Sequence, residues 1–419
     1  MREMKDSNYG YLGIVPQSWK VDKIKYHLKA LGMRNPGNAQ VLSVYREYGV
    51  IPKDSRDDNH NVTSEDTSNY RYVRKGDFVI NKMKAWQGLM AVSRYTGIVS
   101  PAYYVYQFTD DALNRGYFHY LLRSKLYAAE FARISGGIRV GQWDLSAYNF
   151  ENTMLLIPSL EEQGKIATFL DSQCSEIDAI SADIQKEIEI LEQYKRSVIT
   201  EAVTKGLNPD AEMKDSGVPW IGKMPANWTC IKGKYILKYM QKPVKTDDGV
   251  ITCFRDGEVT LRSNRREDGF TMADKEIGYQ GIDVGDLVVH GMDGFAGAIG
   301  ISDSRGKASP VLNVLDSRQN KKYIMYYLRS MAYGDVFAAL ATGIRVRSCD
   351  LRWNKLSVLL YPVPPLEEQA EIVQYIEDTL NKVNGVIGEK KQQLTVIDSY
   401  KKSLIYEYVT GKEEVPAQN

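Results

Sequence analysis

The chain has 419 residues, of which 43% are hydrophobic and 26% charged, enough to bury substantial cores and to divide into at least two domains. No apolar run reaches the roughly eighteen residues of a membrane span, Met1 to Asn8 are polar and charged, and the four cysteines stand singly and far from the four histidines; a cytoplasmic protein without a structural metal or disulfide framework is expected. The net charge of +1 conceals a segregation: residues 20 to 155 carry roughly +6 and residues 229 to 360 roughly +5, whereas 160 to 205 carry roughly −5.

From the N-terminus, short β-type runs at Asp77 to Asn81, Met90 to Ser93 and Ala102 to Phe108 precede a helix near Asn114 to Ile134, which predicts an α+β globule. Ser159 with Glu162 three positions on is a capping-box signature that opens a long helix. Along it Leu170, Ile177, Ile184, Leu191 and Val198 fall seven apart, with Ile180, Ile188 and Tyr194 in a second seam, a coiled-coil pattern. The chain then starts again. Met4-Lys5-Asp6-Ser7, Gly13, Pro16 and Trp19 recur as Met213-Lys214-Asp215-Ser216, Gly222, Pro225 and Trp228, a shift of about 209 positions. Gly76-Asp77, Met83, Gly88 and Ser100-Pro101 recur at the same shift as Gly285-Asp286, Met292, Gly297 and Ser309-Pro310. Gly137-Ile138-Arg139-Val140 and Leu160-Glu161-Glu162-Gln163 recur about 206 positions later as Gly343-Ile344-Arg345-Val346 and Leu366-Glu367-Glu368-Gln369.

The second globule repeats the runs at Asp286 to His290, Ala298 to Ser302 and Val311 to Leu315, with a helix near Asn320 to Leu340. Pro365 then marks the start of a second long helix, where proline is tolerated. Its heptad positions are Ile376, Val383, Lys390, Ile397 and Leu404, beside Leu380, Ile387 and Leu394, and Lys390 breaks the pattern. At about 1.5 Å per residue, some 40 residues extend roughly 60 Å, longer than either globule's own core requires, so the two helices should pack together. Their expected interface is Leu170, Ile177, Ile184, Leu191, Val198, Ile376, Val383, Ile397 and Leu404.

Catalytic constellations are missing. No phosphate loop ending in Gly-Lys-Ser or Gly-Lys-Thr occurs, and the glycines of Gly291 to Gly300 lack the context of a dinucleotide site. The acids of Pro209 to Lys214 are too close together for a nuclease metal site, and no metal ligands are assigned. Trp19 and Trp228, each a few residues past a proline, read as anchors between helix and globule. Trp86 and Phe295 occupy matching positions near Lys82 and Lys84 in one copy and His290 in the other; base stacking and core packing both suit them. Arg139 and Arg345, the latter with Arg347 nearby, follow a flexible glycine and suit phosphate contacts. Between shared landmarks the loops diverge, Tyr45 to Tyr70 having no likeness to Phe254 to Ala273. Their cations, Arg46, Lys53, Arg56, Arg71 and Arg74, then Arg255, Arg262, Arg265 and Arg266, are the candidates for nucleic-acid contact.

Taken together, the stretch from Gly206-Leu207-Asn208-Pro209-Asp210 through Met213-Lys214-Asp215-Ser216-Gly217 to Pro225 and Trp228, with Pro158-Ser159-Leu160-Glu161-Glu162-Gln163 and Pro364-Pro365-Leu366-Glu367-Glu368-Gln369, resembles the specificity (S) subunits of Type I restriction-modification systems over nearly the whole chain. The resemblance implies two α/β target-recognition globules in pseudo-twofold arrangement, joined by two long antiparallel coiled-coil helices. The expected domains are residues 1–158 and 229–364 (target recognition), 159–206 and 365–412 (helices), 207–228 (linker and entry to the second repeat) and 413–419 (tail). It further implies a non-catalytic subunit that reads a bipartite asymmetric site on double-stranded DNA and docks two methyltransferase (M) and two restriction (R) subunits. Those partners would hold S-adenosylmethionine, ATP and Mg for N6-adenine methylation and ATP-dependent cleavage, and this chain no cofactor. A coiled-coil protein-binding adaptor is the rival reading, against which stand the duplicated globules with divergent basic loops.

If the helices act as a ruler, four residues added to each lengthen them by about 6 Å, and DNA advances about 3.4 Å per base pair. Methylome sequencing should then show the same half-sites with a spacer longer by about one or two base pairs. Two added residues rotate the apolar seam to solvent and should abolish assembly. An active four-residue variant that keeps the original spacing would contradict the ruler.

Overall fold

A computed structural model describes residues 2–46, 48–55, 63–137, 143–265, 277–340 and 351–416. The chain forms two compact units, one comprising Met1–Ile184 with Lys391–Asn419 and the other Gln185–Lys390. Each unit therefore holds one globule, the first half of the long helix that follows it, and the last half of the other long helix.

Both globules are α+β and share one strand order. In the first, an antiparallel sheet runs Leu28–Ala30, Tyr103–Phe108, Phe78–Asn81, Met90–Val92; in the second it runs Leu237–Met240, Leu312–Ser317, Leu287–His290, Ile299–Ile301. A hairpin (Leu42–Tyr45 with Gly49–Pro52; Ile251–Cys253 with Val259–Leu261) lies beside each sheet. A two-stranded pair closes each globule onto its long helix, Lys20–Lys23 with Met154–Ile157 and Thr229–Lys232 with Leu360–Val363. The short strands are rich in β-branched and aromatic residues, and Phe78, Val79 and Ile80 are fully buried in a strand covered on both faces.

The helix expected near Asn114 to Ile134 is two helices, Arg115–Arg123 and Lys125–Ile134. Ser124 is extended between them and its hydroxyl donates to the Leu121 carbonyl at 2.7 Å. In the second globule the matching serine, Ser330, stays inside the helix Lys321–Tyr333, and the break comes at Gly334 and Asp335, the latter at φ +54°. Asn114 and Asn320 cap these helices, each side chain accepting two backbone N–H groups.

The long helices span Leu160–Lys205 and Leu366–Val409. Within the first unit the Phe169 ring packs at a tilt on Tyr408, 4.5 Å between centroids, and Asp178 pairs with Lys401 at 2.6 Å, so the two helix segments run antiparallel. Leu170, Ile177 and Leu404 are buried there, and Ile184 and Ile397 are half-buried. Within the second unit Val198, Ile376 and Val383 are buried, as are Ile188 and Ile387, with Leu191 half-buried. Lys390 pairs with Glu187 across the helices, which accounts for a cation at a heptad position. The second seam is narrower than its spacing suggests: Ile180 and Tyr194 are 52% and 48% exposed, because a two-helix pair covers only one stripe of each helix.

Each helix ends on a glycine in the left-handed conformation, Gly206 at φ +72° and Gly411 at φ +69°. A Cβ on Gly411 would overlap the Pro16 ring and lie 2.9 Å from Trp19 Cζ2; one on Gly206 would lie 3.2 Å from Trp228 Cζ2. Both Gly→Ala variants should lose about 1–2 kcal/mol from backbone strain. Gly411→Ala should lose clearly more, since the proline ring cannot retract. Urea denaturation of the two variants compares them directly, and equal losses would contradict this packing.

Candidate nucleic-acid interface

The hairpin beside each sheet buries one row of side chains and lifts its loop outward. Leu42, Val44 and Val50 pack with Val73, Val79 and Val105, while Ile251, Cys253 and Val259 pack with Val288 and Val314. Burial pushes the Cys253 thiol up to about 12, so it stays a neutral core group. Past the first hairpin strand come the exposed Arg46 and Arg255; past the second come Lys53 and Arg262, each opening a short 3₁₀ turn. Arg46 and Lys53 shifted by about 209 positions are Arg255 and Arg262. The loops thus diverge less than their overall comparison suggests; holding the shift fixed into the loop would have revealed the matched cations.

A second matched feature follows the strands Phe78–Asn81 and Leu287–His290. Asn81 Oδ1 accepts from the Met83 N–H at 3.1 Å; His290 Nδ1 accepts from the N–H groups of Met292 at 3.2 Å and Asp293 at 2.9 Å. These contacts require an unprotonated Nδ1 and leave the histidine's hydrogen on Nε2. Burial holds the His290 pKa below its ordinary value; Asp293 opposes the shift and Arg255 reinforces it. Two residues past Met83 and Met292 stand Ala85 and Gly294, and the intervening positions, Lys84 and Asp293, carry opposite charge on the same turn.

The second globule presents a cleft of about 670 Å³ lined by Arg255, Arg262, Arg265, His290, Asp293 and Ser309 among others. Its cations differ in what they touch. Arg255 pairs with Asp293 at 2.9 Å. Arg265 is bound to Asp256 at 2.6 Å and Glu258 at 3.1 Å and lies over the Phe254 ring. Arg262 Nε donates to Thr252 Oγ1 at 3.4 Å. Sequence reading missed a further network: Arg305 bridges Asp248 and Asp283, and Lys242 bridges Asp283 and Asp286. Hydrogen bonds from Lys242 and Arg305 hold the Asp283 carboxyl down to about 2. At the same shift the first globule has Met33, Ala39, Arg74 and Thr96 in place of Lys242, Asp248, Asp283 and Arg305, so no local sequence motif announces the network.

In the first globule Arg71 and Lys82 lie over the Tyr104 ring, and Lys82 also pairs with Asp144 at 3.2 Å. Arg74 and Lys84 are exposed, and Lys53 Nζ donates to Thr63 Oγ1. Trp86 packs edge-on against Trp143 at 5.0 Å and is half-buried, as is Phe295. Trp19 and Trp228 are buried in the two cores, at 1% and 0% exposure. Arg56, Arg139, Arg266, Arg345 and Arg347 lie outside the described residues.

Residues 19–190 match the family described as the Type I restriction modification DNA specificity domain. A putative type I restriction enzyme MjaX specificity subunit of Methanocaldococcus jannaschii is 22% identical over 96% of this chain and 96% of its own. Residues 19–190 thus resemble a type I specificity domain, and nearly the whole chain is similar to a specificity subunit. The MjaVIII specificity subunit of the same organism is 26% identical over 64% of each chain. A solved structure from work on complex assembly and conformational transition of the type I R-M system shares the fold, with a TM-score of 0.68 at 13% identity, covering 95% of this chain and 99% of that one.

The family match covers the first globule from Trp19 and the central helix as far as Ile190; the second globule repeats the strand order of the first. Subunits of this family are in general non-catalytic. No helix among the described residues is long and apolar enough to cross a membrane.

The depressed His290 pKa carries a stability signature. In the unfolded chain the ring protonates near its ordinary value, about 6.5, whereas in the folded cleft it protonates only at lower pH. Its contribution is therefore complete above about 6.5 and lost as pH falls toward the folded value. His290→Asn retains an acceptor, as Asn81 does, but cannot titrate. Urea denaturation from pH 7.5 to 5.5 should show the wild type losing more stability than the variant, and parallel curves would refute this.

Proposed function

We propose that this chain is the sequence-reading component of a type I restriction-modification complex, in which residues of about 20–158 read one half of a bipartite asymmetric DNA site and residues of about 229–364 the other. The observation that carries this reading is a shared scaffold with unlike surfaces. Both sheets have the same strand order, and both hairpins place cations at two matched positions, Arg46 with Arg255 and Lys53 with Arg262. On that frame Lys84 faces out where the second copy has Asp293, and Arg74 where it has Asp283. Matched cations in like surroundings suit phosphate, which is the same at every step of DNA, while side chains that are unmatched, or whose neighbours differ between the copies, suit base edges, which are not.

In this reading the long helices dock two methyltransferase and two restriction subunits, and those partners hold S-adenosylmethionine, ATP and Mg. Arg139 and Arg345 add phosphate contacts. Exchanging either globule for that of a relative should change only one half of the methylated motif, read by methylome sequencing. A change in both halves, or in neither, would overturn the modular assignment.

A further inference from the structure

Arginines in the second globule are mostly engaged within the fold. Arg305 bridges Asp248 and Asp283, Arg265 bridges Asp256 and Glu258, and Arg329 donates to the Tyr333 hydroxyl and the Asp256 carbonyl. Arg255 stands apart. Its side chain is 66% exposed on the wall of the cleft, where Nη2 donates to Asp293 Oδ1 at 2.9 Å. A guanidinium has five N–H donors in one plane, so a single carboxylate bond fixes the plane and leaves most of the fork available.

The turn that carries this carboxylate is itself held, and Asp293 Oδ2 lies 3.9 Å from His290 Nε2. Asp293's backbone N–H donates to His290 Nδ1 at 2.9 Å, and His290 sits at the end of a central strand of the sheet. Orientation thus passes from the sheet through His290 and Asp293 to Arg255. An exposed ion pair of this kind contributes little to stability, about 0–1 kcal/mol, so the fold does not account for it. What it does is restrict a long side chain before any ligand arrives, lowering the ordering cost of a directional contact. The first globule has the arginine without the device: Arg46 corresponds to Arg255, Asn81 to His290, and Lys84 to Asp293.

We infer that Arg255, positioned by Asp293, reads a guanine in the half-site of the second globule through its N7 and O6 acceptors, whereas Arg46 holds phosphate. Asp293 is a positioning residue, and the exchange of Lys84 for Asp293 is one source of the difference between the two half-sites. The inference rests on the proposed reading of DNA by both globules.

The test uses the full chain in complex with its partner subunits and duplexes in which each base pair of both half-sites is replaced in turn. Arg255→Lys keeps the charge but not the fork. It should erase discrimination at one G·C position of the second half-site by roughly 5- to 150-fold, the range of a bidentate arginine–guanine pair, and leave the first half-site and the salt dependence unchanged. Asp293→Asn should weaken the same position and no other; Arg46→Lys should leave every position as in the wild type. If Arg255→Lys discriminates like the wild type while Arg255→Ala lowers the salt slope by about one ion, Arg255 is a phosphate contact and the inference is overturned. A specific wild-type complex whose second half-site contains no G·C pair overturns the inference alone. A wild-type complex without sequence preference overturns the DNA reading beneath it.

Discussion

A buried indole has one N–H donor, and that donor needs an acceptor inside the core or the burial is costly. In both units the acceptor is the second glutamate of the Leu-Glu-Glu-Gln that starts the long helix. Trp19 Nε1 donates to Glu162 at 3.1 Å and Trp228 Nε1 to Glu368 at 2.9 Å. The neighbouring glutamine completes the joint: fully buried Gln163 accepts from the Asn114 N–H and donates to the Ala112 and Pro158 carbonyls, and Gln369 accepts from the Asn320 N–H and donates to Gln319 Oε1 and the Pro364 carbonyl. A tyrosine then ties in the end of the other helix. The Tyr117 hydroxyl lies 3.2 Å from the Val409 carbonyl, and that of Tyr323 3.1 Å from the Val203 carbonyl. Helix start, helix end and globule meet at one tryptophan in each unit.

The candidate contact surfaces stand on this joint at one remove. Sheet strands anchored by Phe78, Phe118 and Phe150 in one unit, and by Leu287, Leu315 and Tyr327 in the other, leave little freedom to the turns that follow them. Substitutions in those turns therefore alter chemistry without moving the frame. Replacing Lys84 by aspartate at the matched position changes local charge by two while the turn keeps its bonds to the side chain of Asn81 or His290. Two surfaces of unlike charge can be carried on one scaffold for this reason.

Much of this was legible in the sequence, and the reasons divide cleanly. Repetition at a fixed shift exposed the two globules, and heptad spacing exposed the helix pair, because both are periodic properties of the chain itself. Capping was half legible: the Glu162 N–H does donate to Ser159 Oγ at 3.2 Å, but the Glu162 carboxylate, expected to close the box, is drawn away by Trp19 and Arg2. The motif was right about the helix start and silent about the tertiary partner. Ser124 was invisible as a helix break, since the same residue type at Ser330 sits inside a helix. Asp293, Arg305 and Lys242 were missed because the partners of their ion pairs, 22 to 57 positions distant, are chosen by strand pairing rather than by spacing.

The joint at Trp19 has a consequence for the order in which the molecule can be made. The second unit is one continuous segment, Gln185–Lys390, whereas the first draws Leu404, Tyr408 and Val409 into a core that already holds Leu12, Val15 and Trp19. The bond between Tyr117 and Val409 spans 292 positions. During synthesis from the N-terminus, the globule translated first lacks that wall until nearly all of the chain has emerged, while the later globule can close as soon as its own segment is complete. Loop closure over such a distance adds only slowly to the entropy, so the delay is a matter of timing more than of final stability. Through that interval the apolar seam along Ile166, Leu170 and Ile177 faces water, the kind of surface on which holding chaperones act.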